Sequence, residues 1–264
     1  MALPSGASII QVTYADRRVL RSHVFHDFAS LGLPDAHIRM PYSLWIVDTA
    51  DGPLVVDTGF HVPDAYWAGD AVWRTVPEAL DAVGVDPRAV ERLVLSHLHF
   101  DHAGNVDLFP NARVHVARQE LDHAMRLGPD ELRRAFVDPA HLDAVRRADA
   151  EGRLVTVGDG AEPAPGVTLI AAPGHTPGQL AVLAETRGGR RLLASDAAHF
   201  FEQLELGWRF FAHTDAEASD RTVAALRARS EQAGAPIIPG HDPRVRERYP
   251  ALPGAAARFA TVLA

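Results

Sequence analysis

The chain predicts an α/β fold, on three observations. Short apolar runs alternate with helical stretches along its length. The runs are rich in β-branched residues and bounded by Gly, Pro or Asp, which favours strand over buried helix. Each half carries several strands followed by a helix, and places histidines just after a strand. Two such halves facing each other form one sandwich with one cleft. No linker rich in Pro, Gly and Ser separates two zones of composition, so residues 1–264 are expected to form a single domain.

Taken in order, strands are expected over residues 8–13, 43–48, 53–57, 92–95, 113–117, 167–172, 180–185, 191–194 and 235–238. Helices are expected over 76–83, 87–91, a long stretch within 118–150, and 216–233. Asp86-Pro87 reads as an N-cap followed by proline at the first helical position, and Asp215 can cap the last long helix. Residues 158–166 (GDGAEPAPG) read as a loop.

Composition removes several classes of function. Apolar residues make up 47% of the chain, enough for a sizeable core. The net charge is −8 with no basic block, so a nucleic-acid partner is not expected. There is no cysteine, which excludes disulfides and any thiolate metal site. The opening residues 1–6 lack the layout of a signal peptide, and no run of 18 apolar residues exists to span a bilayer. A cytoplasmic protein with no membrane partner is the expectation. A homodimer is left open.

The 14 histidines are the unusual number. His97-Leu98-His99-Phe100-Asp101-His102 follows the apolar run Leu93-Val94-Leu95 directly. Alternate residues of an extended backbone share a face, so His97 and His99 point to one side. Asp101 and His102 then sit where the chain turns. Three imidazoles and a carboxylate within six residues suit zinc or a similar divalent ion. Three more residues follow strands in the same way: His175 in Pro173-Gly174-His175, Asp196 in Ala194-Ser195-Asp196, and His241 in Pro239-Gly240-His241. Ligands in sheet-based α/β folds bind beyond strand ends, where loops converge.

On these residues the chain resembles the metallo-β-lactamase superfamily of hydrolases. The motif His97-x-His99-x-Asp101-His102, followed by His175, Asp196 and His241, matches the superfamily's ligand order over nearly the whole chain. The resemblance implies an αββα four-layer sandwich of two mixed β-sheets flanked by helices. It also implies two divalent metal ions per chain, with zinc the expected metal. His97, His99 and His175 would hold one, Asp101, His102 and His241 the other, and Asp196 would bridge them. Asp57-Thr58-Gly59 is also the triplet of an aspartic protease, but that chemistry needs a second such aspartate and the chain has no second Asp-Thr-Gly. In the superfamily this triplet closes an early hairpin, and its expected role is to orient a ligand loop by hydrogen bonds.

Two divalent ions lower the pKa of bound water toward ~7, which supplies a bridging hydroxide for attack on a carbonyl or phosphoryl centre. Asp101 could shuttle the proton. Within the superfamily the chain is most similar to the N-acyl-homoserine-lactone lactonase and pyridoxolactonase branch. Pro41-Tyr42-Ser43, the segment 96–105 (SHLHFDHAGN), Pro239-Gly240-His241-Asp242-Pro243 and Arg248-Tyr249-Pro250 carry that likeness. A small-molecule lactone or other ester is therefore the expected substrate. Thioester, general ester or phosphotriester hydrolysis in the same site is the alternative, and a non-catalytic metal-binding module is the alternative of another class. The branch has a tyrosine three residues after the bridging aspartate, and this chain has His199 there. His199 is expected to donate a hydrogen bond, or in protonated form a proton, to a substrate oxygen. The aromatics of 200–211 are expected either to line a pocket wall or to belong to the core, and the stretch 120–147 either to cover the cleft or to present a solvated helix face.

Overall fold

Every strand expected from the sequence forms, and the strands divide between two facing sheets. The computed structural model describes residues 8–61 and 74–264, so the opening residues 1–6 lie outside the described part. The first sheet has the order β11 (Ala260–Val262), β1 (Ile9–Leu20), β2 (His37–Thr49), β3 (Gly52–Val56), β4 (Arg92–Val94), β5 (Arg113–Ala117), β6 (Leu154–Val157). Its β11, β1, β2 and β3 pair antiparallel, and β3 to β6 run parallel. The second sheet has the order β10 (Ile237–Pro239), β9 (Gly189–Ser195), β8 (Leu180–Thr186), β7 (Val167–Ala171), with only β10 and β9 parallel. Both sheets are mixed.

Alternation along the strands builds two cores. Trp45, Val47, Leu54, Val56 and Val94 face the second sheet and pack with Leu169, Val182 and Leu193. Leu44, Ile46, Val55 and Leu93 face the other way, into a core with Leu80, Leu142 and Val145. A sheet covered on both faces needs apolar residues at both parities, which is why β2 reads as a nearly continuous apolar run. α1 (Val76–Ala82) packs on β1, α3 (Arg118–Ala124) on β5, and α5 (Pro139–Ala150) on β6. α7 (Ala216–Ala233) covers β9 and β10, capped by Asp215, whose side chain accepts from Ala218 N. The result is four layers, αββα.

The departures from expectation have local causes. Residues 118–150 do not form one helix: Gly128-Pro129 opens α4 (Pro129–Arg134), and Asp138-Pro139 opens α5. Proline lacks the N–H that a helix interior needs, so each proline sits in a first turn. The stretch expected over 87–91 is a single 3₁₀ turn, Pro87–Ala89, with Asp86 capping Arg88 N. β1 and β2 run past the apolar residues into Asp16, Arg17, Arg18, His37 and Arg39, paired by backbone hydrogen bonds that leave no hydrophobic pattern. β6 and β11 are short edge strands, and the short helices α2 (Phe100–Ala103), α6 (Phe201–Glu205) and α8 (Val245–Arg248) are single turns.

Candidate metal centre

The fold delivers its chemistry-bearing residues at the C-terminal ends of β4, β7, β9 and β10. After β4 the chain bends at Ser96 and reaches His99, the extended N-cap residue of α2, so Asp101 and His102 lie on that helical turn. The rings of His97 and His99 are 4.5 Å apart, as the shared face requires. His175 follows β7, Asp196 follows β9 directly, and His241 follows β10. All are buried.

The structure gathers these seven residues into two clusters that could each hold a metal ion, with ligand atoms within 4.8 Å of one another. The first comprises His97, His99, His175 and Asp196; the second comprises Asp101, His102, Asp196 and His241. Asp196 faces both with different oxygens. Its Oδ2 lies 3.4 Å from His175 Nε2 and 3.9 Å from His97 Nε2. Its Oδ1 lies 3.0 Å from His241 Nε2 and 3.3 Å from His102 Nε2. Asp101 Oδ2 completes the second cluster, 3.4 Å from His102 Nε2 and 3.6 Å from His241 Nε2.

The hydrogen bonding on the far side of each ring fits cation ligation. Nδ1 of His102 meets Asp57 Oδ2 at 2.8 Å, that of His175 meets Ala212 O at 2.8 Å, and that of His241 meets Pro41 O at 2.7 Å. Carbonyls and carboxylates only accept, so each Nδ1 carries the proton, and whenever the ring is neutral the lone pair of Nε2 is the one turned into the cluster. His97 Nδ1 meets Ser96 Oγ at 3.0 Å. The Nε2 atoms of His97 and His102 are buried and make no hydrogen bond. A buried polar atom left so needs a reason, and a ligated cation supplies one.

Charge differs between the clusters. Burial, and then the neighbouring imidazoles, push the basicity of His97 and His99 well below the usual histidine range; burial also lowers His175. Burial pulls His102 and His241 down too, but facing carboxylates outweigh it and both end above the usual range. For His102 these are Asp101, Asp196 and Asp57; for His241 they are Asp196 and Asp101. Burial works against ionising Asp101 and Asp196, yet the imidazoles around them hold both below the ordinary carboxylate range.

Asp57 orients a ligand loop as expected. Its Oδ1 accepts from Ser96 N at 2.7 Å, and its Oδ2 accepts from Ser96 Oγ at 2.9 Å and Ser195 Oγ at 3.3 Å. Thr58 Oγ1 donates to His102 O and accepts from Asn105 N. Three further supports were not visible in the sequence. Glu120 accepts from Leu98 N and Gly178 N, Gln203 Oε1 accepts from His199 N, and Asp242 Oδ2 accepts from Phe201 N.

A cavity of about 140 Å³ opens over the clusters; among the described residues Val24, Met40, Tyr42, Phe136, Phe210 and Phe211 give it apolar walls, and Arg17 and His23 also line it. Of the aromatics expected in a pocket wall, Phe210 and Phe211 are there, while Phe200 and Phe201 belong to the cores. From the helical stretch expected to cover the cleft, Phe136 reaches the cavity; its φ is +57°, uncommon for a bulky residue. His199 is buried, with Nε2 3.0 Å from Asp196 Oδ2 and its ring stacked on Phe210 at 3.4 Å and 12°. Burial holds its pKa down to about 3 against the pull of Asp196, so the ring is neutral at neutral pH. Among the described residues no helix is long and apolar enough to cross a membrane.

Comparison with known proteins agrees with this geometry. The family model for the metallo-beta-lactamase superfamily matches residues 38–241. The N-acyl homoserine lactonase AttM of Azorhizobium caulinodans is 31% identical over 241 residues, covering 83% of this chain and 88% of that protein. An N-acyl homoserine lactonase of Bacillus cereus is 28% identical over 224 residues, covering 79% and 84%. The crystal structure of a quorum-quenching N-acyl homoserine lactone lactonase superposes with a TM-score of 0.74 at 24% identity, over 94% of this chain and 96% of that one, a likeness of fold. The chain therefore belongs to the metallo-beta-lactamase superfamily, as a lactonase-like, metal-dependent hydrolase.

Proposed function

We propose that the chain, acting as a single domain, is a dinuclear hydrolase that opens a lactone, an N-acyl homoserine lactone or a close analogue. The observation that carries this reading is Asp196, one of whose oxygens faces each four-residue cluster at the floor of an apolar cavity. His97, His99, His175 and Asp196 Oδ2 would hold one ion, and Asp101, His102, His241 and Asp196 Oδ1 the other. Imidazole and carboxylate donors without thiolate suit zinc. Metal ions there supply Lewis-acid polarisation of the acyl oxygen and a water acidified toward neutral pH.

The remaining work falls to the chain. Met40, Phe210 and Phe211 give an acyl substituent an apolar wall and keep bulk water from the scissile bond. Asp101, held ionised by His102 and His241, takes up at a carboxylate oxygen the proton released on attack and returns it to the ring alkoxide. Neutral His199 has its Nε2 beside Asp196 Oδ2, where its N–H can stabilise the oxygen that departs.

Metal analysis combined with a substrate panel tests the proposal. Dialysed, active protein should hold close to two divalent ions per chain. Acyl homoserine lactones should be hydrolysed faster than simple esters, thioesters or phosphotriesters, with acid release followed at constant pH. Full activity with under one ion per chain would overturn the dinuclear site, and faster turnover of a thioester or phosphotriester would overturn the substrate.

A further inference from the structure

We propose that Glu120 is a positioning residue for the first cluster, a buried carboxylate that holds the His97–His99 segment against the His175 loop. This rests on the reading that the first cluster binds a cation.

Glu120 lies in the first turn of α3 and is only 3% exposed. Its Oε1 accepts from Leu98 N at 3.1 Å, and its Oε2 accepts from Gly178 N at 2.9 Å. Leu98 sits between the ligands His97 and His99, and Gly178 lies three residues after His175. One side chain therefore spans the stretches that carry all three histidines of that cluster. Those stretches belong to different sheets: one leaves β4 in the first, the other joins β7 to β8 in the second.

The contact is close and specific. A Cβ on Gly178 would stand 2.2 Å from Glu120 N and 2.6 Å from Glu120 Cα, so the His175 loop rests directly on the backbone of α3. Glycine is required there by proximity. Among the described residues no Lys, Arg or His lies within ion-pairing distance of Glu120. Burying a carboxylate without a cation is costly unless its hydrogen bonds are worth keeping. Two backbone amides on two ligand loops are what this carboxylate holds, and burial pushes its pKa up although Thr176, these two amides and His102 pull it down. Metal–ligand distances tolerate only about ±0.2 Å, so slackening this clamp lets His175 drift from His97 and His99. The second cluster draws on α2, Asp196 and the His241 loop, none of which Glu120 touches.

The experiment compares Glu120→Gln and Glu120→Asp with wild type, using the full chain. Gln turns an amide N–H₂ toward one of the two backbone donors, and Asp keeps the charge but is too short to reach both. Chelator competition should show the first-cluster ion bound about 10- to 100-fold more weakly in both variants, the size found for lost supports of ligands. The second-cluster ion should change less than about threefold, a spread within which independent sites stay additive. Cobalt substitution should show an altered spectrum for one site only. In metal-free protein, amide exchange at Leu98 and Gly178 should speed up while that at Ser96, held by Asp57, stays put. Equal weakening of both sites with a lowered melting temperature would reduce Glu120 to scaffold, and full affinity in Glu120→Asp would overturn positioning in favour of charge. Wild-type protein that takes up no metal would overturn the metal reading, and the amide-exchange comparison would then still decide whether Glu120 clamps the two loops.

Discussion

The two clusters share Asp196 yet differ in how ready they are for a cation. The first has three imidazoles and one carboxylate, and its histidines are driven toward the neutral form. The second has two imidazoles and two carboxylates, with Asp57 behind His102, and its histidines are drawn toward the protonated form. The same residue type, equally buried, is pushed in opposite directions by the number of carboxylates it faces. Extra negative charge favours a divalent ion in the second cluster, but it favours protons there as well. The imidazoles of the first cluster are driven to the neutral form, although His99 Nδ1 and His175 Nε2 share a hydrogen bond at 3.0 Å; those of the second have more protons to give up on binding.

Removing the shared residue is the most damaging way to break this contrast. Asp196→Ala should weaken metal binding at both clusters and lower turnover by about 10³-fold, equivalent to about 4 kcal/mol in the barrier. His102→Ala should leave the first cluster loaded, near one ion per chain. An Asp196→Ala protein that keeps one cluster at wild-type affinity would mean the carboxylate serves that cluster only in appearance.

His199→Phe sharpens the comparison from the side of the substrate. Phenylalanine can keep the stack on Phe210 and loses the Nε2 contact with Asp196. Turnover should fall by about 10²-fold with metal content unchanged, the lower range for a lost hydrogen-bond donor to a developing oxyanion. Because burial holds His199 near 3, its ionisation lies below the range where the enzyme would be assayed. The pH profiles of variant and wild type between about 5 and 9 should therefore be parallel, displaced by a constant factor. A histidine limb present only in wild type would show that the ring ionises during turnover.

The smallest effect is the most direct test of the contrast itself. Raised basicity at His102 and His241 means that protons still compete for those nitrogens at pH values above the ordinary histidine range. Lowered basicity at His97, His99 and His175 means that protons compete there only well below it. As pH falls, the second cluster should lose its ion first, in a chelator titration followed by site-selective cobalt spectra. Simultaneous loss from both would show that Asp196 couples them more strongly than their surroundings separate them.

Most of the two clusters could be read from the sequence because they are written locally. Four cluster residues fall within His97 to His102, and His175, Asp196 and His241 each follow an apolar run that ends in a turn. The supports were less legible because their signal is tertiary. Glu120 is one acid among many on a broken helical stretch, and nothing nearby marks the two amides it will meet. Asp57 reads as a brace only because its triplet is a motif; Gln203 and Asp242, with similar duties, carry no such mark. The stack of His199 on Phe210 joins residues eleven apart across the turn of α6, beyond any periodicity. Edge strands β6 and β11 escaped for a related reason: they are held by backbone pairing more than by a pattern of burial.

Each cluster takes two residues from before the exposed loop at 158–166 and two from after it: His97 and His99 with His175 and Asp196, and Asp101 and His102 with Asp196 and His241. A chain severed in that loop would yield fragments that each offer half a coordination sphere, twice over. Neither fragment alone could bind a cation as the joined pair does. β11, near the C-terminal end, returns to pair with β1 in the first sheet, so the fragments would have to interleave rather than merely touch. Tight metal uptake would then report complementation directly, and a chelator would weaken the reassembled pair without cutting a covalent bond. In a chain without cysteine, a cation bound at these clusters would fill the part of a removable cross-link between the two halves.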